Sequence, residues 1–149
     1  MNADGRGVTR ITGWIQVALL CMAGLGACDS RPSAPETRAS YFVQKFITEP
    51  QNAVDLRGVS RLAEKDSPET LVDDLQTRSA VSYLRARHRH GAEFSFHIAA
   101  NTRTASGHKI VNVVVSETAA PVGKDSVVRF QVELRQQNNA WVVVRLQSD

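Results

Sequence analysis

The 149-residue chain is poor in cysteine: it has two, Cys21 and Cys28, and none from residue 29 onward. That excludes a disulfide, a cysteine nucleophile and a thiolate metal centre in the last four-fifths of the chain. Aromatic residues are only 6% of the total, so a core must be built mainly from Val, Leu, Ile and Ala. Charge of one sign is also scarce. Eighteen Lys and Arg against 15 Asp and Glu leave a formal +3, a bias too mild to specify nucleic-acid binding. No apolar run reaches the ~20 residues of a spanning helix. The G-x-S-x-G turn of hydrolases and the G-x-x-x-x-G-K phosphate loop are both missing.

What is present begins at the N-terminus. Arg6 and Arg10 lie in a polar start, and residues 11–25, ITGWIQVALLCMAGL, carry no charge. A basic start, a short apolar stretch and then small residues form the layout of a secretory signal peptide. Gly13, Gly24 and Gly26 argue against a buried core helix. An uncleaved N-terminal membrane anchor is the competing reading.

Leu25-Gly26-Ala27-Cys28 resembles the lipobox of bacterial lipoproteins: a branched apolar residue, two small ones, then cysteine. The resemblance implies that the Cys28 thiol takes a diacylglycerol, that residues 1–27 are removed, and that the new amino group is acylated. Several acyl chains hold a protein on a bilayer where one would not. Asp29 resembles the inner-membrane retention signal of enterobacterial lipoproteins, which slightly favours that membrane. The expected organisation is a signal peptide at 1–27, lipidated Cys28 with a Pro- and Ser-rich tether at 28–35, and one domain at 36–149. The expected location is the cell envelope, facing the periplasm.

Helices come first in that domain. Ser33 and Glu36 have capping-box spacing, and Pro35 suits a first turn. Ala39, Phe42, Val43, Phe46 and Ile47 then recur at helical period, and Pro50 ends the run. Residues 52–62 read as a short second helix containing Gly58. A third is expected from Ser67-Pro68-Glu69, with Leu71, Val72 and Leu75 on one side and Ala80, Val81 and Leu84 on another. That shift predicts a break near 77–79. Gly91 suits the C-cap.

After Gly91 the period becomes two. Phe94, Phe96 and Ile98; Val111, Val113 and Val115; Val128, Phe130, Val132 and Leu134; and Val142, Val144 and Leu146 form four alternating runs. Polar turns at 101–107, 119–125 and 136–139 separate them. This is an antiparallel meander with one covered face, in the α+β class: N-terminal helices packed on a curved four-stranded sheet. The element order resembles NTF2-like or cystatin-like folds, which implies the option of a ligand pocket between sheet and helices.

Chemistry-bearing residues are few. Arg85, Arg87 and Arg89 form a cationic cluster suited to an anionic partner, or simply to the C-terminal end of a helix dipole. His88, His90, His97 and His108 lack ligand spacing and neighbouring acids, so no metal or other cofactor is expected. Trp141, Val143 and Val127 fall on the expected outer sheet face as candidates for an interface with an envelope protein or a second copy. Tyr41, Tyr83, His97 and Asn112 are the only polar candidates for an inward acid/base site. The resulting expectation is a lipid-anchored, non-catalytic binding or assembly module. An NTF2-like pocket for a small apolar ligand is the alternative, followed by an enzyme using that pocket.

Overall fold

The computed structural model describes residues 34–62, 65–119 and 127–149. All belong to one compact unit spanning Arg31–Asp149. The expectations for the leader, Cys28 and the tether lie outside the described residues, as does most of the 119–125 turn. Three α-helices, α1 (Pro35–Thr48), α2 (Ala53–Val59) and α3 (Leu75–Arg89), precede four strands, β1 (Phe94–Arg103), β2 (Lys109–Glu117), β3 (Val127–Gln137) and β4 (Ala140–Ser148). The strands pair antiparallel in the order β1-β2-β3-β4. The domain is α+β.

Helix α1 carries the stripe that the periodicity marked. Ala39, Phe42, Val43, Phe46 and Ile47 are buried, and Phe42 stacks on Phe46 at 5.5 Å. They meet Val111, Val113, Val115, Phe130, Val132 and Leu134 in one cluster. Removing a ring such as Phe42 or Phe130 would cost about 3–5 kcal/mol. The start of α1 differs from the capping-box expectation. Its N-cap is Ala34, without a side-chain cap, and Glu36 instead reaches Asn101 Nδ2 (2.7 Å) and Lys109 Nζ (3.2 Å). Tertiary partners outcompete the local one.

The third helix also departs from the sequence reading. Pro68–Leu71 is a separate 3₁₀ turn, and α3 starts at Leu75 with Asp74 as its N-cap. The break therefore falls at Val72–Asp74, before the expected 77–79. Its cause is a tertiary one: Val72 forms a parallel bridge to Leu146 of β4, which takes the chain out of helix. Leu71 and Val72 are buried on one side of that break and Val81 and Leu84 on the other, while Leu75 is 79% exposed.

Two bulges revise the strand faces. In β4 the register passes from Glu133↔Arg145 to Leu134↔Val143, so Val144 is the extra residue. Everything before it exchanges faces. Val143 is 0% exposed and inside, and Trp141 packs against the core. The expected outer placement of Val143 and Trp141 is thus corrected, and Val142 takes the outer side instead. In β1 a bulge between Ile98 and Ala100 turns Asn101 toward Glu36, extending the strand through the first residues of the expected turn. Ile98 keeps the inner parity but is 42% exposed, because β1 is an edge strand. The other edge, β4, is covered by Ser60 and Arg61, whose backbone N–H donates to the Val143 carbonyl at 2.9 Å, and by Val72. The β3–β4 turn uses Asn138 and Asn139, both at positive φ, as two-residue hairpins of this hand require.

Thr77 ties α3 to the end of the sheet. It is 0% exposed; its hydroxyl donates to Asp74 Oδ2 (2.7 Å) and accepts from the Ser148 backbone N–H (2.6 Å). Thr77→Val keeps the shape and leaves both partners unmatched. It should lower unfolding free energy by about 1–3 kcal/mol in a urea titration. The Thr77 hydroxyl and backbone N–H hold the Asp74 carboxyl below the usual aspartate range. A depressed carboxylate stabilises above its unfolded pKa and loses that contribution as pH falls through the folded value. Asp74→Asn should therefore flatten the loss of thermal stability between about pH 5 and pH 3 relative to wild type.

Candidate functional site

The far end of α3 carries the cationic cluster, and helical geometry divides it. Positions 85, 88 and 89 share one face, while 87 lies about 200° away from 85. Arg87 accordingly turns to β2, where its Nη2 donates to Glu117 at 2.5 Å and its Nε at 3.3 Å. That pairing raises the Arg87 guanidinium further above its ordinary value. Arg85 turns to α1. Its Nε donates to the Phe46 carbonyl (3.0 Å), its Nη1 to Glu69 (3.1 Å), and its guanidinium carbon lies 4.4 Å from the Phe46 ring centroid. Arg89 is exposed and has no hydrogen bond or ion pair with the described residues.

A cleft of about 600 Å³ opens between the end of α1 and this face of α3, lined by Ile47, Thr48, Pro50, Gln51, Ser82, Arg85, His88 and Arg89. The three expected anion contacts therefore do not act together: Arg85 and Arg89 share the cleft, and Arg87 is engaged elsewhere. Sequence reasoning missed the α1 side of the cleft. In the sequence Pro50 marks only a helix stop, and its proximity to α3 is a property of the packing.

The end of α3 is held by backbone. Gly91 adopts φ +87°, and the Ala92 and Gly91 N–H groups close on the Arg87 and His88 carbonyls at 3.0 and 2.9 Å. This is the Schellman arrangement. The His88 Nδ1 lies 3.2 Å from the Ala92 carbonyl, which accepts, so the ring is oriented by the same turn.

The remaining candidates are dispersed. Val127 alone of the three interface candidates is exposed, at 47%, near the start of β3. The outer sheet face around it is mixed, with Arg129, Gln131 and Glu133 following on the same strand. Lys109 lies 5.7 Å over the Trp141 ring, and Arg38 donates to the Trp141 carbonyl at 2.7 Å. Of the acid/base candidates, Tyr41 and Tyr83 belong to the helix layer, whereas His97 and Asn112 stand on the opposite, outer side of the sheet. The sheet itself keeps those pairs apart. His108 pairs with Glu133 at 2.5 Å on that outer face. Among the described residues no three His, Cys, Asp or Glu side chains gather as a metal site, and no helix is long and apolar enough to cross a membrane.

No protein-family model matches the chain, and no curated protein sequence matches it. Among solved structures it is similar to the crystal structure of a DUF4783 family protein from Bacteroides ovatus ATCC 8483. The two share 11% identity with a TM-score of 0.33, over 48% of this chain and 59% of that one. The chain thus spans less than two thirds of that protein's length, and the fold stands on the elements described above.

Gly91, which closes the end of α3, holds a backbone conformation that favours glycine, φ +87°. A Cβ there meets nothing within 4 Å, so Gly91→Ala isolates the cost of the left-handed conformation. The variant should lose about 1–2 kcal/mol in chemical unfolding, with no change in the m-value.

Proposed function

We propose that this chain is a lipid-anchored protein of the bacterial cell envelope whose α+β domain acts as a non-catalytic binding or assembly module. The anchoring half of the reading rests on Leu25-Gly26-Ala27-Cys28, after a basic start and a short uncharged apolar stretch. It is supported by the absence of any later cysteine, so that Cys28 has no partner in the folded domain. Helix α1 starts at Pro35, seven residues beyond Cys28. A segment of that length reaches at most about 25 Å, so the tether keeps the domain close to the bilayer. Asp29 slightly favours the inner membrane, with the domain on the periplasmic side.

The observation that carries the binding reading is the filled interior. Phe42, Phe46, Phe130 and Leu134 meet between α1 and the sheet with essentially no exposure. An NTF2-like cone holding a small apolar ligand, or an acid/base pair, needs open space and inward polar groups in that position. With the interior occupied by apolar side chains, recognition falls to the surface. The partner is an envelope protein or a second copy of the chain; of the three interface candidates Val127 is exposed, Trp141 is partly buried and Val143 is fully buried. Helices leading into a four-stranded meander support placing the domain with the NTF2-like or cystatin-like folds.

The test is intact mass and membrane partitioning of wild type and Cys28→Ser in a Gram-negative host. Wild type should lack residues 1–27, carry acyl mass and sediment with membranes. Cys28→Ser should retain its N-terminus and gain no acyl mass. If both keep the N-terminus and stay embedded in the membrane alike, the anchoring half is overturned and residues 11–27 are a plain membrane anchor.

A further inference from the structure

We propose that the cleft between the end of α1 and the last turns of α3 is a binding site for a ligand bearing a phosphate or carboxylate oxyanion. The site is concave and mixed in character, as small-ligand sites are. Ile47 and Pro50 supply an apolar wall, and Arg85, His88 and Arg89 supply the polar side. Three features give the cationic side its organisation. Arg85 is fixed by the Phe46 carbonyl, by Glu69 and by the Phe46 ring, so its position is set before any ligand arrives. His88 is oriented by the Ala92 carbonyl. Arg89 has its guanidinium uncommitted.

Helix dipoles bear on the sign of the site. The cleft lies at two helix C-termini, where the peptide carbonyls contribute about half a negative charge each. Arg85 caps one of these ends through the Phe46 carbonyl, and Glu69 offsets part of its remaining charge. The α3 end is closed by the Gly91 turn, with its carbonyls engaged by N–H groups. Among the described residues that line the cleft, Arg89 is the cation left without a partner. An oxyanion supplies one: the guanidinium fork matches two oxygens of a phosphate or carboxylate, and the organic remainder of the ligand covers Ile47 and Pro50. Arg87, on the opposite face and paired to Glu117, takes no part.

The cleft sits at the C-terminal end of α1, while the tether enters at the N-terminal end. Fourteen residues of α-helix place these ends about 20 Å apart. The oxyanion belongs to a soluble ligand or to a lipid head group, and the experiment separates the two. The inference does not depend on lipidation at Cys28, so each reading can fail alone.

The full chain, isotopically labelled in a neutral detergent, would be titrated with inorganic phosphate, phenylphosphate and short-chain phosphatidylglycerol while backbone amide shifts are followed. Saturable shifts should appear at 47–51 and 82–89. Phenylphosphate should bind more tightly than phosphate because of the apolar wall. Arg89→Gln should weaken binding about tenfold, the effect of one charge-assisted contact, and Arg87→Gln should leave it unchanged. Because Arg85→Gln also removes a cap from α1, the exposed Arg89 is the decisive position. Saturation by phosphatidylglycerol at lower concentration than by phenylphosphate would identify a head-group site, and the reverse a soluble ligand. Absence of saturable shifts with all three probes, or equal sensitivity to Arg87→Gln and Arg89→Gln, would overturn the site.

Discussion

Burial of one helical stripe organises this domain. Ala39, Phe42, Val43, Phe46 and Ile47 are the apolar face of α1, and they lie on the inner residues of β2 and β3. With aromatics at 6% of the chain, Phe42, Phe46 and Phe130 make up much of the large-ring content of the core. The four-stranded sheet would otherwise present Val111, Val113, Val115, Val132 and Leu134 to water, and a sheet with one unburied apolar face is not stable by itself. Helices α2 and α3 fill the flanks through Leu56, Val59, Val81 and Leu84. The cleft exists because α1 ends at Thr48 and the chain turns through Pro50 beside the last turns of α3.

The polar architecture follows from the same packing. Glu36 leaves its local capping role to meet Asn101 and Lys109 because α1 crosses the β1–β2 end of the sheet. Hydrogen bonding from the backbone, then from Lys109, holds its carboxyl below the usual range. Arg85 closes the end of α1, and Thr77 closes the start of α3 against Ser148. Each of these groups joins a helix end to another element, so the helix termini satisfy their orphan groups tertiarily as well as locally. The surface pairs, such as Lys45 with Glu49 or Arg145 with Asp73, sit in solvent and add little.

Helix α1, the Gly91 cap and the four strands were legible because each is a local or strictly periodic signal. The two bulges were not. Strict alternation with a period of two through β4 places Val142 and Val144 inside and Trp141 and Val143 outside. Val144 is instead the inserted residue, and the strand exchanges faces there. A trace of this is present in the chain: Trp141 and Leu146, both large and apolar, stand an odd number of positions apart and cannot share a face without an extra residue between them. The run Val142-Val143-Val144 conceals which residue that is, since all three fit either side. The same applies to the break before α3. Residues 71–81 showed that two faces were present, but the bridge from Val72 to Leu146, which locates the break, spans 74 positions of sequence.

The amino-acid sequence by itself determined the class of the domain, the order of its elements and the stripe that α1 buries. These depend on residue type at short spacing, where helix period, strand alternation and cap chemistry act within a few positions. The tertiary structure decided which residues face inward after each bulge, where the third helix begins, and which arginines meet. Arg85, Arg87 and Arg89 are near neighbours in sequence, yet Phe46, Glu69 and Glu117, lying 39, 16 and 30 positions away, separate their roles. Those choices are made by partners distant along the chain, and no local pattern encodes them.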